Sequence, residues 1–191
     1  MTPLLVAAGY LLGSIPFALL LGGSEVRRAG SGNLGAANVL RVRRTSVALM
    51  VLLLDIGKGG AAVLFAGGAD AGATTTAAVG FSAVLGHVYP VWLKFKGGKG
   101  VATAFGAFTI LAPLAAVLAA ALFALAVWTT RYVSVGSILA ATALSPLVFF
   151  TSGGGPVLAS ALGAGTLVLL RHRSNLARLQ MGSEHRLAVR G

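Results

Sequence analysis

The stretch VATAFGAFTILAPLAAVLAAALFALAVW, residues 101–128, decides how this chain is folded. It is apolar throughout. As one α-helix it would be about 42 Å long, well beyond the roughly 30 Å hydrocarbon core of a bilayer. Pro113 has no backbone N–H to donate and disfavours helix at Ala112 before it. We therefore expect two short antiparallel helices that meet near Ala112 and Pro113.

Further apolar runs flank this stretch, at about residues 3–22, 46–66, 73–92, 133–150 and 156–170. Of the 191 residues, 57% are hydrophobic and only 10% are charged, against roughly 25% charged in soluble domains. The mean hydropathy is +0.89, and the chain contains no cysteine. This composition excludes a soluble enzyme, a secreted disulfide scaffold and a disordered chain. We expect an all-α, polytopic membrane helix bundle, formed as a single domain over residues 1–191.

Basic residues are concentrated in residues 24–44, 93–100 and 171–191, whereas the links at 67–72 and 151–155 contain no Lys or Arg. The positive-inside rule places the three basic segments in the cytoplasm. The N-terminus is then outside and the C-terminus cytoplasmic, which requires an odd number of crossings. Splitting the central run supplies that number, so we expect seven transmembrane helices in the cell (inner) membrane.

Two further features of this topology concern the central run and the first apolar run. The alternative for the central run is one long, kinked span that leaves Arg131 outside. The first apolar run has no basic residue before it and no clear cleavage site after it, which favours a retained span over a signal peptide. We expect Pro16 to kink that span.

The first basic segment contains GSGNLGAANVLR, residues 30–41. Its three glycines allow the backbone to approach an anion closely. Ser31, Asn33 and Asn38 supply polar groups, and Arg41 can grip a phosphate through two hydrogen bonds. We interpret this segment as part of an anion site; the alternative is a flexible loop with a positive-inside arginine.

The second basic segment reads KFKGGKGV, residues 94–101, and opens the helix that follows. A glycine-rich turn at a helix N-terminus, with Lys99 inside it, suits a bound phosphate. It is not a P-loop, because Gly100 stands where that motif has Ser or Thr, and no strand precedes it. Nucleotide hydrolysis is therefore unsupported. The alternative is that these lysines only mark the cytoplasmic side.

Two further segments carry polar groups to the same side of the membrane. Ser137 follows Arg131 in RYVSVGS, and the tail begins RHRSN, residues 171–175. His172 and Asn175 are three residues apart and share a helix face at the membrane edge. A histidine there can act as a base or accept a hydrogen bond from a hydroxyl; the alternative for the tail is an anchor for lipid head groups.

Ionisable residues also occur within the apolar runs. Asp55 and Lys58 are spaced i,i+3, and we expect them to form a buried pair that shapes the site. For His87 we expect support of the adjacent loop rather than chemistry. The chain has only four acidic residues and no carboxylate cluster, so we expect no metal site. The +11 charge lies in membrane-edge loops, which favours anionic substrates and membrane lipid over nucleic acid.

Several of these motifs occur together in one order. They are GSIP at 13–16, GSGN through Arg41 at 30–41, DIGKG at 55–59, GH at 86–87, FKGGKGVAT at 95–103, RYxS at 131–134, RHRxN at 171–175 and GxE at 182–184. In these residues, which extend over nearly the whole chain, the protein resembles the bacterial acyl-phosphate:glycerol-3-phosphate acyltransferases, the PlsY family.

The resemblance implies transfer of a fatty acyl group from acyl phosphate to glycerol 3-phosphate, without a cofactor or metal. The product would be 1-acyl-glycerol 3-phosphate, made in the first acylation of phospholipid synthesis, beside an enzyme that produces acyl phosphate. The resemblance implies a structural role for Glu184. The catalytic residues expected are Ser31, Arg41, His172 and Asn175. The substrate-binding residues expected are Gly32, Asn33, Asn38, Gly97, Gly98, Lys99, Gly100 and Ser137.

Other classes remain as alternatives. Acyltransferases that use acyl-CoA or acyl-carrier protein usually have a His-x4-Asp dyad, and no histidine here has Asp five residues later. A transporter or channel for organic phosphate would explain the basic loops, but the motifs cluster on one face and the halves show no repeat. A lipid-binding structural protein leaves the glycine-rich runs unexplained.

Overall fold

The computed structural model describes residues 1–187, and within them the chain is all-α, as predicted. Residues 188–191, the end of the predicted basic tail, lie outside the described part. The helices are α1 (Thr2–Gly13), α2 (Phe17–Gly22), α3 (Ala36–Val42), α4 (Thr45–Gly68), α5 (Gly72–Val88), α6 (Val101–Leu111), α7 (Pro113–Thr130), α8 (Val133–Ser152), α9 (Pro156–Arg171) and α10 (Arg173–Gln180). Short 3-10 turns lie at Ser24–Arg27 and Val91–Leu93.

The central apolar run forms two helices, α6 and α7, and the chain breaks where the sequence predicts. Ala112 leaves the helical conformation, with φ −152° and ψ 74°. Lys99, just before α6, donates a hydrogen bond to Asn175, and the Leu187 N–H donates to the carbonyl of Arg131, just after α7, at 2.7 Å. Both ends of the pair therefore meet the C-terminal segment. The two helices form a hairpin, contrary to the alternative of one long helix.

The helices have the length and composition of a polytopic membrane protein. Those long and apolar enough to cross a bilayer are Thr2–Gly22, Thr45–Gly68, Gly72–Leu93, Pro113–Thr130 and Val133–Ser152. α6 and α9 are apolar but shorter. The helical membrane architecture is thus confirmed, whereas the count of seven crossings and the orientation of the termini stay predictions.

The first span is broken at residues 14–16, as Pro16 predicts, and a buried ion pair sits beside the break. Lys58 Nζ donates to the carbonyl of Ile15 at 2.9 Å and lies 2.8 Å from Asp55 Oδ1. Lys58 and Asp55 are only 4% and 2% exposed. The predicted mutual pair is confirmed. Pairing matters here because an isolated charge inside a membrane bundle is strongly unfavourable.

Glycines let the helices approach backbone to backbone. A Cβ added at Gly86 of α5 would lie 2.1 Å from the carbonyl oxygen of Tyr10 in α1. One added at Gly106 of α6 would lie 1.9 Å from the carbonyl oxygen of Ile56 in α4. Close contact through small residues is how helices associate in lipid, where the solvent is as apolar as the side chains.

The basic segments meet at one end of the bundle. Arg27 of the first segment donates to the carbonyl of Lys96 in the second at 2.9 Å. Arg171 donates to the carbonyl of Gly98 at 3.3 Å, which joins the second segment to the tail. We call this the basic end; it holds residues 24–44, 93–100 and 131, together with 171–187.

The contact at Gly86 generates a stability prediction. Gly86→Ala forces α1 and α5 apart and lowers the free energy of unfolding by about 1–3 kcal/mol, the usual effect of overpacking. The matched control is Gly57→Ala on α4, where nothing in residues 1–187 beyond the helix itself comes within 4 Å of an added Cβ. Thermal unfolding in detergent micelles tests the pair. An equal loss of stability in both variants would contradict the packing argument.

Candidate active site

A cavity of about 360 Å³ lies at the basic end. Its polar wall includes Ser31, Asn33, Asn38, Arg41, Lys99, Gly100, Ser134, Ser137, His172, Asn175 and Glu184. Its apolar wall comes from α6 to α9 and includes Phe105, Phe108, Ala116, Phe123, Leu144 and Val168. A cavity with one polar and one apolar wall suits a molecule with a charged head and a hydrocarbon tail.

Asn38 fixes the loop of the first motif segment. Its Oδ1 accepts a hydrogen bond from the Ser31 N–H at 2.7 Å, and its Nδ2 donates to the carbonyl of Val26 at 2.8 Å. The Asn38 side chain is buried on α3, so the loop is held from inside. Arg41 lies in the last turn of the same helix. Among residues 1–187 it makes no side-chain hydrogen bond or ion pair, which leaves its guanidinium available to an anion.

The glycine-rich loop packs against the end of α5. The N–H groups of Gly97 and Gly98 donate to the carbonyls of Val88 and His87, each at 3.0 Å. A Cβ added at Gly98 would lie 2.1 Å from His87 Nε2. His87 therefore supports this loop, as expected. Gly97 and Gly98, and Gly32 in the first segment, do not line the cavity; their role as substrate-binding residues stays a prediction.

Lys99 connects this loop to the C-terminal segment. Gly100 has φ +88°, a conformation that glycine adopts without strain, and α6 begins directly after it. Lys99 Nζ donates to Asn175 Oδ1, and Asn175 Nδ2 donates to Glu184 Oε1 at 2.7 Å. Arg178 Nε donates to the other carboxylate oxygen at 2.7 Å. This chain of hydrogen bonds joins the start of α6 to α10 and to the residues after it.

His172 is neutral and has one nitrogen available to a ligand. Its Nδ1 lies 2.8 Å from the carbonyl oxygen of Val168. A carbonyl only accepts, so the ring carries its proton on Nδ1 and Nε2 is left as an acceptor. Burial lowers the pKa of His172 to about 4, and the nearby positive charge of Lys99 acts in the same direction. At neutral pH this imidazole accepts a hydrogen bond but is a weak base.

The cavity carries an excess of positive charge. Burial lowers the pKa of Lys99 to about 8; the charge of Glu184 opposes this shift, and those of Arg178, Arg41 and Arg171 add to it. Burial raises the pKa of Glu184, but its hydrogen bonds hold it below the ordinary value, so the group is a carboxylate. The lining contains two cations, Arg41 and Lys99, and two carboxylates, Glu184 and Asp55. Lys58 pairs with Asp55, and Arg171 and Arg178 add positive charge near Lys99, so positive charge is in excess around the polar wall. The site therefore attracts anions.

The cavity includes residues that the prediction left out. Ser134 and Glu184 contribute to the polar wall, and Asp55 and His87 also reach the cavity. Glu184 had a sequence signal, because it is one of four acidic residues and stands in an otherwise basic tail. Ser134 ends the RYxS motif at residues 131–134, but the motif alone assigns it no role, and only the fold brings it to the same cavity as Glu184.

The amino-acid sequence matches a known protein family. A sequence model of glycerol-3-phosphate acyltransferases matches residues 3–182. The glycerol-3-phosphate acyltransferase of Syntrophotalea carbinolica is 47% identical over 188 residues, covering 96% of each chain. That of Sinorhizobium fredii is 45% identical over 196 residues, covering 100% of this chain and 94% of the relative.

Two solved structures share the fold. One is the crystal structure of PlsY, an integral membrane glycerol 3-phosphate acyltransferase, in its glycerol 3-phosphate form. Its superposition on the present structure gives a TM-score of 0.93 at 38% sequence identity, and the alignment covers 98% of this chain and 96% of the PlsY chain. The lysophosphatidic acid form of PlsY superposes with a TM-score of 0.89 at 36% identity, and the alignment covers 98% of this chain and 95% of the PlsY chain. The protein described here belongs to the PlsY family of integral membrane glycerol-3-phosphate acyltransferases, which act in phospholipid biosynthesis.

Proposed function

We propose that this enzyme transfers a fatty acyl group from acyl phosphate to the 1-hydroxyl of glycerol 3-phosphate, giving 1-acyl-glycerol 3-phosphate and phosphate. The hydroxyl oxygen forms a bond to the acyl carbon, and the bond between that carbon and the phosphate oxygen breaks. The hydroxyl proton ends on the departing phosphate, so no metal, cofactor or covalent enzyme intermediate is required. The product, a lysophosphatidic acid, is that of the first acylation in phospholipid synthesis.

One observation carries this proposal: Arg41, Lys99 and several hydrogen-bonding side chains line the polar part of a cavity whose remaining wall is apolar. Both proposed substrates carry a phosphate, and one of them also carries a hydrocarbon chain. Arg41 and Lys99 enter the cavity from different segments, which suits two phosphates bound side by side. The apolar residues of α6 to α9 suit the acyl chain.

Acyl phosphate is favoured as the donor for two reasons. It is a mixed anhydride, so the protein has only to orient the reactants and stabilise charge on the leaving phosphate. The cation-rich wall suits that charge. The chain also lacks the His-x4-Asp dyad expected of an enzyme that uses a thioester donor.

His172 orients the acceptor hydroxyl in this mechanism. Its Nε2 is an acceptor within the cavity wall, because Nδ1 is bound to the carbonyl of Val168. Its pKa of about 4 makes it a poor general base at neutral pH. The phosphate oxygen that leaves the acyl carbon is the stronger base and takes the proton. Asn175 holds Lys99, and Ser31 lies at the cavity as a further polar contact.

We further propose seven crossings of the cell (inner) membrane, with the N-terminus outside and the active site facing the cytoplasm. The hairpin of α6 and α7 supports this count, since it adds a crossing to the central run. The collection of basic segments at the end that holds the cavity supports the orientation. A cytoplasmic site lies on the side where an enzyme that makes acyl phosphate can deliver it.

The reaction is tested with purified protein in detergent, glycerol 3-phosphate, and either palmitoyl phosphate or palmitoyl-CoA. We expect lysophosphatidic acid and phosphate in equal amounts from palmitoyl phosphate and no product from palmitoyl-CoA. Product from the thioester would contradict the proposed donor but keep the acyltransferase. No product from either donor, with folded protein, would favour the transporter alternative.

The pKa of Lys99 predicts how the enzyme responds to alkaline pH. The ammonium form is lost as pH rises through about 8, so kcat/KM for glycerol 3-phosphate falls above that value, up to tenfold per pH unit. Lys99→Arg keeps its charge and removes this decline, whereas Lys99→Ala raises KM at every pH. Steady-state kinetics between about pH 6.5 and 9.5 check the expectation. A decline that persists in Lys99→Arg would assign it to another group.

Substitution of His172 separates orientation from proton transfer. His172→Ala lowers kcat by about tenfold to hundredfold, because the hydroxyl is no longer aligned. His172→Gln retains a hydrogen-bond acceptor without basicity, and we expect it to keep a measurable part of the lost activity. Turnover is measured at saturating concentrations of both substrates. If Gln is as inactive as Ala, general-base catalysis by His172 is the better account; an unchanged kcat in Ala would exclude both roles.

A further inference from the structure

Three buried ionisable residues form a cluster that the proposed mechanism does not use. Asp55 of α4 lies 2.8 Å from Lys58 Nζ and 3.5 Å from Nδ1 of His87 in α5. All three side chains are almost fully buried. Burying an ionisable group in a membrane bundle is energetically costly unless the group is paired, and such groups usually mark functional sites. Asp55 and Lys58 are paired, and the cluster has no function in the proposed mechanism.

The cluster stands directly behind the glycine-rich loop. The carbonyl of His87 accepts the N–H of Gly98 at 3.0 Å, and the Nε2 side of its ring faces Gly98 so closely that any Cβ there would clash. Lys99, the next residue, enters the cavity. The orientation of the His87 ring thus affects the position of the residue that precedes Lys99.

Asp55 contacts the His87 ring on the Nδ1 side, whereas Gly98 lies on the Nε2 side. Its carboxylate faces Nδ1 of His87, while Lys58 neutralises the carboxylate and donates to the carbonyl of Ile15 in the break of the first span. The cluster therefore connects α4, α5 and the first span at the level of the loop. Asp55 and His87 also reach the cavity, where an unpaired carboxylate would repel a phosphate.

We propose that Asp55, through His87 and with Lys58 as its counter-ion, is a positioning residue for the Lys99 loop and sets the affinity for the phosphate of glycerol 3-phosphate. This inference rests on the proposed function, in which Lys99 binds that phosphate. A phosphate contact of this kind acts equally in the ground state and the transition state. Its loss raises KM and leaves kcat nearly unchanged.

The test compares Asp55→Asn with the double variant Asp55→Asn/Lys58→Met. The single variant leaves the charge of Lys58 buried without its partner, which destabilises the fold. The double variant removes both charges and retains similar volumes, so it restores stability without restoring the carboxylate that faces His87. We expect KM for glycerol 3-phosphate to rise by about tenfold or more in both variants, with a much smaller change in kcat.

Ser160→Ala is the matched control. Ser160 is buried on α9 and donates to the carbonyl of Ala77 at 2.8 Å, but it does not line the cavity. We expect it to lower the midpoint of thermal unfolding without changing KM. Initial rates of lysophosphatidic acid formation give the kinetic constants, and direct titration of each purified variant with glycerol 3-phosphate gives the affinity.

The outcomes separate this inference from the proposed function. A double variant with the KM and affinity of the unmodified enzyme would overturn the inference and leave the acyltransferase intact, since the pair would then serve stability alone. A fall in kcat without a change in KM would overturn it as well. Absence of acyl transfer in the unmodified enzyme would instead remove the proposed function.

Discussion

The hydrogen-bond chain from Lys99 through Asn175 to Glu184 is the interaction on which the site depends. Its first bond, from Lys99 to Asn175, joins residues 76 positions apart and connects the start of α6 to the segment after α9. Without it, the ammonium of Lys99 would lie buried near the charges of Arg178, Arg41 and Arg171 without the compensating contact to Glu184 through Asn175. Glu184 supplies the compensating charge, and Asn175 bridges it to Lys99 by two hydrogen bonds. The ammonium of Lys99 keeps two further N–H donors.

The chemistry of the site follows from this electrostatic arrangement. Burial lowers the pKa of His172 and keeps this histidine neutral, and the positive charge of Lys99 acts in the same direction. The same positive charge favours phosphate. His172 is therefore suited to accept a hydrogen bond, whereas the substrate's own phosphate is suited to accept the proton. In the proposed mechanism, the proton therefore passes to the leaving phosphate and not to His172.

The membrane imposes the second constraint. Close packing at glycines such as Gly86 and Gly106 brings helix backbones into contact. The N–H groups of Gly97 and Gly98 hold the loop of residues 94–100 against the end of α5. The buried cluster of Asp55, Lys58 and His87 lies at the same level. Packing and electrostatics thus act on one loop, and that loop carries the cation at the centre of the site.

Much of this was accessible from the sequence because it depends on local chemistry. Hydropathy predicts a helical membrane protein, Pro113 predicts the break in the central run, and the i,i+3 spacing of Asp55 and Lys58 predicts their pairing. The charge pattern predicts that the basic segments share one face. Ordered motifs over nearly the whole chain predict the family, which the comparisons confirm.

What the tertiary structure alone decided is how those segments face one another. The glycine-rich sequence favours a phosphate cradle, yet the N–H groups of Gly97 and Gly98 donate to the end of α5, and Lys99 is the member of the loop that reaches the cavity. The partner of Glu184 and the available nitrogen of His172 are likewise set by contacts between distant segments. The sequence determined which groups are present and on which side of the membrane we expect them, because hydropathy and charge act residue by residue. Distances, burial and protonation required the fold, because they arise only when separate helices pack together.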